Sequence, residues 1–401
     1  MVTKFKVLIV GAGPGGLALA QILRARNVPF EIFERDAKET VRQQGWAVAL
    51  VECLEDLEVM LPDDLGDLHT VSVNHGLAGN DTIGVFDADS GKTIGGLGAV
   101  PKGQPGYMLR ANRHHFRQFL FKNINIQFGK SFDHYTEDRD GISVTFKDGT
   151  VAHGSILVGA DGAHSPVRKQ LLGAEGASMV LSPYSVIVQE AILTREQYLP
   201  LHKIGSSGIL VSKEGMRYLV GMLETYDGGA TAQYYTATCY KSGDTEKANA
   251  WIKGASKQEL YDKVIEITKD LPDMFTDILR IGGADSISDS QIKLEEFVSP
   301  EYLPRGRVTL LGDAGHTMVP FRGAGANTAL GDAISFAKGL LAELEQSTNP
   351  FNTDWFLQTY DKVMLPRGKE MVQSSHAAGD NVLGPLLGRI NAMDKKEKEE
   401  E

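Results

Sequence analysis

The 401-residue chain carries only two cysteines, Cys53 and Cys239, far apart in sequence. That scarcity offers no disulfide framework, no cysteine-rich metal site and no CxxC redox pair, and no metal is expected. No apolar run is long enough to span a bilayer, so a membrane is not an expected partner. A strand begins almost at the N-terminus, which leaves no room for a signal peptide, and the expected location is cytoplasmic. Positive charge is in deficit: 41 Lys and Arg against 52 Asp and Glu leave a net charge of −11. Nucleic acid and anionic lipid are therefore poor partners. Part of that charge lies in the stretch Asp394 to Glu401, so residues 386–401 read as a disordered, solvated tail. Internal repeats and Pro/Ser-rich linkers are also missing.

Glycine, by contrast, is somewhat abundant, with 44 residues, and its placement is informative. The strand-like run Lys6-Val7-Leu8-Ile9-Val10 enters Gly11-Ala12-Gly13-Pro14-Gly15-Gly16. A helical pattern from Leu17 to Arg26 follows, then a strand ending at Glu34. This order is that of a dinucleotide fingerprint. Gly11 permits the turn off the strand, Gly13 admits a pyrophosphate, and Gly16 lets helix and strand pack closely. The helix start supplies amides and partial positive charge to the phosphates. Glu34 stands where a carboxylate meets an adenosine ribose, and its charge disfavours a 2′-phosphate there. The adenosine half then belongs to NAD or FAD.

Further along, residues 70–98 alternate polar and apolar side chains and read as strands of a separate sheet. Asn112 to Phe121 returns to helical spacing. Ile142 to Phe146 and Thr150 to His153 form a hairpin around Lys147-Asp148-Gly149. Ile156-Leu157-Val158 is a buried strand feeding Gly159-Ala160-Asp161-Gly162. Strands are expected at 185–192, 208–211, 216–222 and 232–239, and helices at 257–269 and 274–281. A late strand, 307–311, leads into Gly312-Asp313-Ala314-Gly315-His316, then Pro320-Phe321-Arg322-Gly323-Ala324-Gly325-Ala326-Asn327 and a helix from about Ala326. Asp313 sits at a strand's C-terminal end, where polyol hydroxyls are bound in α/β sheets. Gly323 and Gly325 allow backbone to press against a flat ring, and the helix start favours negative charge beside it. A closing helix spans 353–375.

Taken together, GAGPGG with Glu34, Arg113, the Asp161-Gly162 turn and the Gly312-to-Asn327 block resemble the class A FAD-dependent monooxygenases, which include p-hydroxybenzoate hydroxylase. The likeness runs from Lys6 to about Ser375. It implies an α/β fold: a doubly wound, Rossmann-like FAD-binding domain with an inserted β-sheet substrate domain and a C-terminal helix. The corresponding division is FAD-binding at 1–69, 100–175 and 300–385, and substrate domain at 70–99 and 176–299. It also implies non-covalent FAD, with NADPH or NADH and molecular oxygen as co-substrates. By position, Gly11, Gly13, Gly16 and Glu34 would bind the adenosine diphosphate, with Arg35 beside them as a further cofactor-binding candidate, and Arg113 would contact FAD. Asp313 would bind the ribityl chain, Gly325 and Ala326 would face the flavin, and Asp161 would serve FAD and nicotinamide. Arg42 to Gly45 falls near the cofactor in the family, although a solvated loop accounts for Arg42 equally well, and Arg110 is a further cofactor candidate. His316 and Pro320 match the family's GDxxHxxxP pattern. For His316, ordering of its loop is favoured over a free base.

No second GxGxxG and no cysteine pair supports a disulfide reductase, and Trp46, Trp251 and Trp355 stand apart, unlike a halogenase signature. In the expected chemistry, reduced flavin and oxygen form a C4a-hydroperoxide that hydroxylates a phenol, indole or enol. Epoxidation, ring-expanding oxygen insertion, reduction, or FAD binding without catalysis remain as alternatives. The substrate pocket should lie between the flavin and the inserted sheet, with Tyr184, Gln189, Tyr218, Tyr234 and Tyr235 as candidates, although alternation turns only half of such residues inward.

Overall fold

The computed structural model describes residues 5–39, 45–213, 215–289, 291–346 and 351–380. Arg42 and the 386–401 tail lie outside them. One layer is a five-stranded parallel sheet in the order Val308–Leu310, Ile156–Gly159, Val7–Val10, Phe30–Phe33, Ile126–Gln127. The central strands are apolar throughout because both faces are covered, as parallel sheets require. The helices Pro14–Ala25 and Ala324–Gln346 pack together against this sheet. Gly15 allows the approach: a Cβ there would lie 2.6 Å from Leu311 Cδ2 and 3.3 Å from the Ala329 carbonyl oxygen. The helix Arg113–Phe121 starts where the periodicity predicts, because Asn112 Oδ1 accepts from the His114 and His115 amides.

The expected hairpin is present as Ile142–Phe146 with Val151–Gly154, and Phe132–Glu137 adds a third antiparallel strand. The start of residues 70–98 departs from the strand reading. Leu68–Val71 is a 3-10 turn, nucleated by Asp67, whose Oδ1 accepts from the His69 amide at 2.9 Å. Two real strands follow, Ile83–Asp87 and Lys92–Leu97.

These two join strands from far later in the chain. The six-stranded sheet runs Tyr184–Thr194, Thr231–Lys241, Met216–Tyr226, Gly208–Lys213, Ile83–Asp87, Lys92–Leu97. Its pairs are antiparallel except Gly208–Lys213 with Ile83–Asp87. One face is buried by helices that include Lys257–Thr268 and Asp273–Gly282, both expected, and Arg195–Ile204, which the sequence reading missed. The other face turns towards the Pro320–Arg322 turn and the closing helix Thr353–Asp380. No described helix is long and apolar enough to cross a membrane.

Candidate functional site

The three glycine-bearing turns meet at the C-terminal ends of adjacent strands, Val7–Val10, Ile156–Gly159 and Val308–Leu310. Gly11 has φ +113°, and a Cβ on it would sit 2.2 Å from the Ala160 carbonyl oxygen. A Cβ on Gly16 would sit 2.2 Å from the Gly11 carbonyl oxygen. Both are glycine because the protein's own backbone demands it. Gly13 differs. Its φ of −77° suits any residue, and nothing lies within 4 Å of an added Cβ. Gly325 is similarly open, with only Met318 Cγ at 3.9 Å. Packing within the chain explains neither, whereas a ligand pressed against the backbone explains both. Gly13 also caps the helix Pro14–Ala25 without any side-chain hydrogen bond, so no side chain competes for its first amides.

Glu34 is buried at the end of its strand. One carboxylate oxygen accepts from the Ala12 amide (3.0 Å) and the other from the Asp36 amide (3.0 Å). Behind it lies Arg117, which spacing did not single out. Its Nε donates to the Ala12 carbonyl at 2.9 Å, and its Nη2 is 3.8 Å from Glu34 Oε2. Arg35, the next residue along, is exposed.

Arg113 opens its helix, and its guanidinium makes no hydrogen bond to any described residue. Burial pushes its pKa down, while the nearby Asp313 carboxylate favours the charge. A cation at a helix N-terminus also opposes the helix dipole. Gly45, with φ +81°, lies against this guanidinium; a Cβ there would be 3.2 Å from Arg113 Nη1. Asp313 is exposed, and its carboxylate makes no hydrogen bond among the described residues. An unpartnered cation and an unpartnered carboxylate beside two open glycines are suited to a ligand with both anionic and hydroxyl groups.

Asp161 is engaged locally. It accepts from Ser165 Oγ and from the Val167 amide, which starts the helix Pro166–Gly176, and burial raises its pKa to about 6. Arg168 in that helix was also missed in the sequence. Fully buried, it donates to the carbonyls of Ala163, Asp313 and Ala314 and so ties the second turn to the third.

His316 is completely buried, with Nε2 2.6 Å from Asp332 Oδ2. Burial opposes its charge, but the adjacent Asp332 carboxylate and their hydrogen bond outweigh this and raise its pKa. Asp332 also accepts from the Gly312 amide (2.9 Å) and from Arg367 Nη2 (2.7 Å). The imidazole thus holds the Gly312–Ala314 turn and is not exposed as a base. Pro320 is exposed and opens the turn Pro320–Arg322, after which Gly323, at φ +62°, directs the chain into the helix. That helix begins at Ala324, two residues earlier than expected, so Gly325 and the half-buried Ala326 lie in its first turn. Asn327 ties down the end of the short strand Ala47–Leu50, donating to the Ala49 carbonyl and accepting from the amide of Val51 just beyond it.

The substrate-pocket candidates divide by strand register. Val186, Val188, Ala237 and Cys239 share one face with Tyr184 and Tyr235, packed against Trp46, Val319 and Phe321. Gln189, Tyr218 and Tyr234 do not belong there. They lie on the opposite face, where Gln189 donates to Ser286 Oγ, Tyr218 donates to the Phe275 carbonyl and Tyr234 packs on Tyr198. Arg110 is also on the substrate side, with Nη2 2.6 Å from the Tyr235 hydroxyl, and not beside the fingerprint.

The FAD binding domain family model matches residues 4–375. The FAD-dependent monooxygenase thnD of Trichoderma harzianum is 33% identical over 398 residues, covering 96% of this chain and 97% of that protein. The FAD-dependent monooxygenase dbaB of Emericella nidulans is 29% identical over 399 residues, covering 93% and 95%. Among solved structures, Klebsiella pneumoniae HpxO complexed with FAD and uric acid superposes with a TM-score of 0.72 at 20% identity, covering 99% of this chain and 93% of that one. Arthrobacter nicotinovorans 2,6-dihydroxypyridine-3-hydroxylase gives 0.70 at 16% identity, covering 95% and 94%, and these two likenesses concern the fold. Glycines left open to a ligand at the ends of a doubly wound sheet thus coincide with a match over nearly the whole chain, which belongs to the FAD-dependent monooxygenases.

Proposed function

We propose that this monooxygenase hydroxylates a small, electron-rich molecule, a phenol, indole or enol, with NADPH or NADH as reductant. The overall balance is substrate–H + O2 + NAD(P)H + H+ giving substrate–OH + H2O + NAD(P)+. The observation that carries the reading is the pairing of a ligand-ready nucleotide site with an apolar sheet face. Among the described residues, Arg113, Asp313, Gly13 and Gly325 leave donors, acceptors and space unused, and the sheet's apolar Val186, Val188 and Ala237 pack beneath Val319 and Phe321 of the turn that follows Asp313. Bound FAD supplies the oxygen-activating redox chemistry.

In this reading Gly11, Gly13, Gly16 and Glu34 hold the adenosine diphosphate, with Glu34 on the ribose while Arg117 keeps its carboxylate in place. Arg113 neutralises anionic charge. Asp313 accepts from the ribityl hydroxyls, and Gly325 and Ala326 face the ring. Asp161 and His316 act one step behind, by shaping the turns. The sheet face excludes water and orients the substrate.

Among the described residues one parallel sheet carries the dinucleotide fold, with no second to hold nicotinamide beside the ring, so reduction should be gated by substrate. The test is anaerobic rapid mixing of oxidised, FAD-loaded protein with NADPH or NADH, with and without a panel of phenols and indoles. Flavin bleaching should accelerate with at least one compound. Fast bleaching that no compound changes would reject the gate and favour an oxidase or reductase.

A further inference from the structure

We infer that Trp46, positioned by Glu190, is the specificity-determining wall of the substrate site and favours flat, two-ring phenols over single-ring ones. The inference rests on the hydroxylase reading above. Trp46 follows Gly45, on the segment that lies against Arg113, and its carbonyl accepts from the Arg113 amide at 3.1 Å. From there its side chain reaches across to the six-stranded sheet. The indole stacks on Tyr235, with ring centroids 5.7 Å apart and planes 18° apart. Its Nε1 donates to Glu190 Oε1 at 3.0 Å. A single tryptophan therefore joins the nucleotide side of the cleft to the substrate side.

The supports beneath it are stiff. Tyr235 lies flat against the sheet because residue 221 is glycine; a Cβ there would be 2.4 Å from Tyr235 Cε1. Arg110 Nη2 fixes the Tyr235 hydroxyl. The second Glu190 oxygen accepts from Gln233 Nε2 at 3.1 Å, and Gln233 accepts in turn from the Tyr226 hydroxyl at 2.8 Å. The plane of the indole is thus set by its neighbours before any substrate arrives. Tyr235 covers one face, yet Trp46 stays part-exposed, so ring surface remains for a second stacking partner. Behind it Val186 and Val188 are buried and Ala237 is half-buried in an apolar cluster, so these three back the indole with no polar groups and leave orientation to stacking. Aromatic stacking gains with overlap, so a fused two-ring substrate profits more than a single ring.

The experiment uses the FAD-loaded full chain with phenol and 1-naphthol as probes. It compares the parent with Trp46→Ala, Trp46→Phe, Glu190→Ala and Glu190→Gln. Three readouts are taken: FAD occupancy, the ratio of kcat/KM for 1-naphthol over phenol, and the fraction of NAD(P)H consumed that appears as hydrogen peroxide. FAD occupancy should stay level throughout. In Trp46→Ala the naphthol-to-phenol ratio should fall about tenfold, the loss of one good stack, and peroxide should rise. Glu190→Ala should reproduce part of that loss, whereas Glu190→Gln, which keeps a carbonyl oxygen for the indole N–H, should restore it.

An unchanged ratio and peroxide fraction in Trp46→Ala would overturn the inference. If neither phenol stimulates the parent, the hydroxylase reading fails for these probes, and binding decides separately. Perturbation of the FAD absorbance by 1-naphthol should then need about tenfold more ligand in Trp46→Ala. Equal binding, or none to the parent, would overturn the role of Trp46.

Discussion

Replacing Arg113 with methionine separates a residue kept for a ligand from one kept for the fold. The side chain is similar in reach but loses its charge and donors. In the protein alone, this guanidinium makes no hydrogen bond to a described residue, burial disfavours its charge, and it stands at a helix N-terminus. A cation in that position costs about 0.3–1 kcal/mol against the helix dipole. Removing it should therefore leave the FAD-stripped protein as stable as the parent, or more stable by up to about 1 kcal/mol. Binding should move the other way. A charge-assisted hydrogen bond to an anionic cofactor contributes about 1.5–3 kcal/mol, so the FAD dissociation constant should rise about tenfold to 150-fold. Urea unfolding of the stripped protein gives the first quantity, and fluorescence titration with FAD gives the second. A variant that loses stability when stripped, yet binds FAD within threefold of the parent, would show that Arg113 serves the fold and refute the reasoning.

Two further substitutions test neighbouring parts of the argument. Gly13→Ala should fold within about 0.5 kcal/mol of the parent while binding FAD about tenfold or more weakly, because its Cβ meets only the ligand's space. Gly16→Ala should lose about 3 kcal/mol or more of stability, because its Cβ would strike the Gly11 carbonyl; equal behaviour of the two in urea unfolding and FAD titration would contradict the distinction. Asp361 is buried beside Thr309, whose hydroxyl donates to it at 2.7 Å, and burial raises its pKa to about 7. The unfolded carboxyl ionises near 4, so this group's contribution to stability is full below about pH 4 and lost as pH rises to about 7. Asp361→Asn, which keeps an acceptor, should accordingly be more stable than the parent at pH 8 by on the order of 1–3 kcal/mol and show no gain at pH 4, as read by unfolding across that range.

What was legible from the sequence followed from local rules. A glycine at a turn, an apolar run of strand length and an acid at a strand end each depend on a few adjacent residues. Hence the fingerprint strand and helix, the buried strand ending at Gly159, the Asp313 turn and the capped helix at Arg113 could be placed from spacing. Local rules also explain the misreading at Thr70 and Val71, where an alternating pattern resembled a strand but the Asp67 side chain favoured a turn over Leu68–Val71. They could not divide the pocket candidates. Both faces of the six-stranded sheet are covered, so both carry large side chains, and only pairing with distant strands turns Tyr184 and Tyr235 to one side and Tyr218 and Tyr234 to the other.

The chain's composition and its three glycine-bearing turns determined by themselves a dinucleotide-binding α/β protein with an inserted sheet, because backbone conformation and hydrophobic period are properties of neighbours in sequence. Tertiary structure alone decided which groups remain for a ligand. Arg117 and Arg168 are consumed in holding turns together, His316 is consumed by Asp332, and Arg110 is drawn to Tyr235. Among the described residues, Arg113 and Asp313 are left without such partners. Whether a charged side chain is spent on the fold or kept for chemistry depends on what lies across space from it, and those partners come from elements far away along the chain.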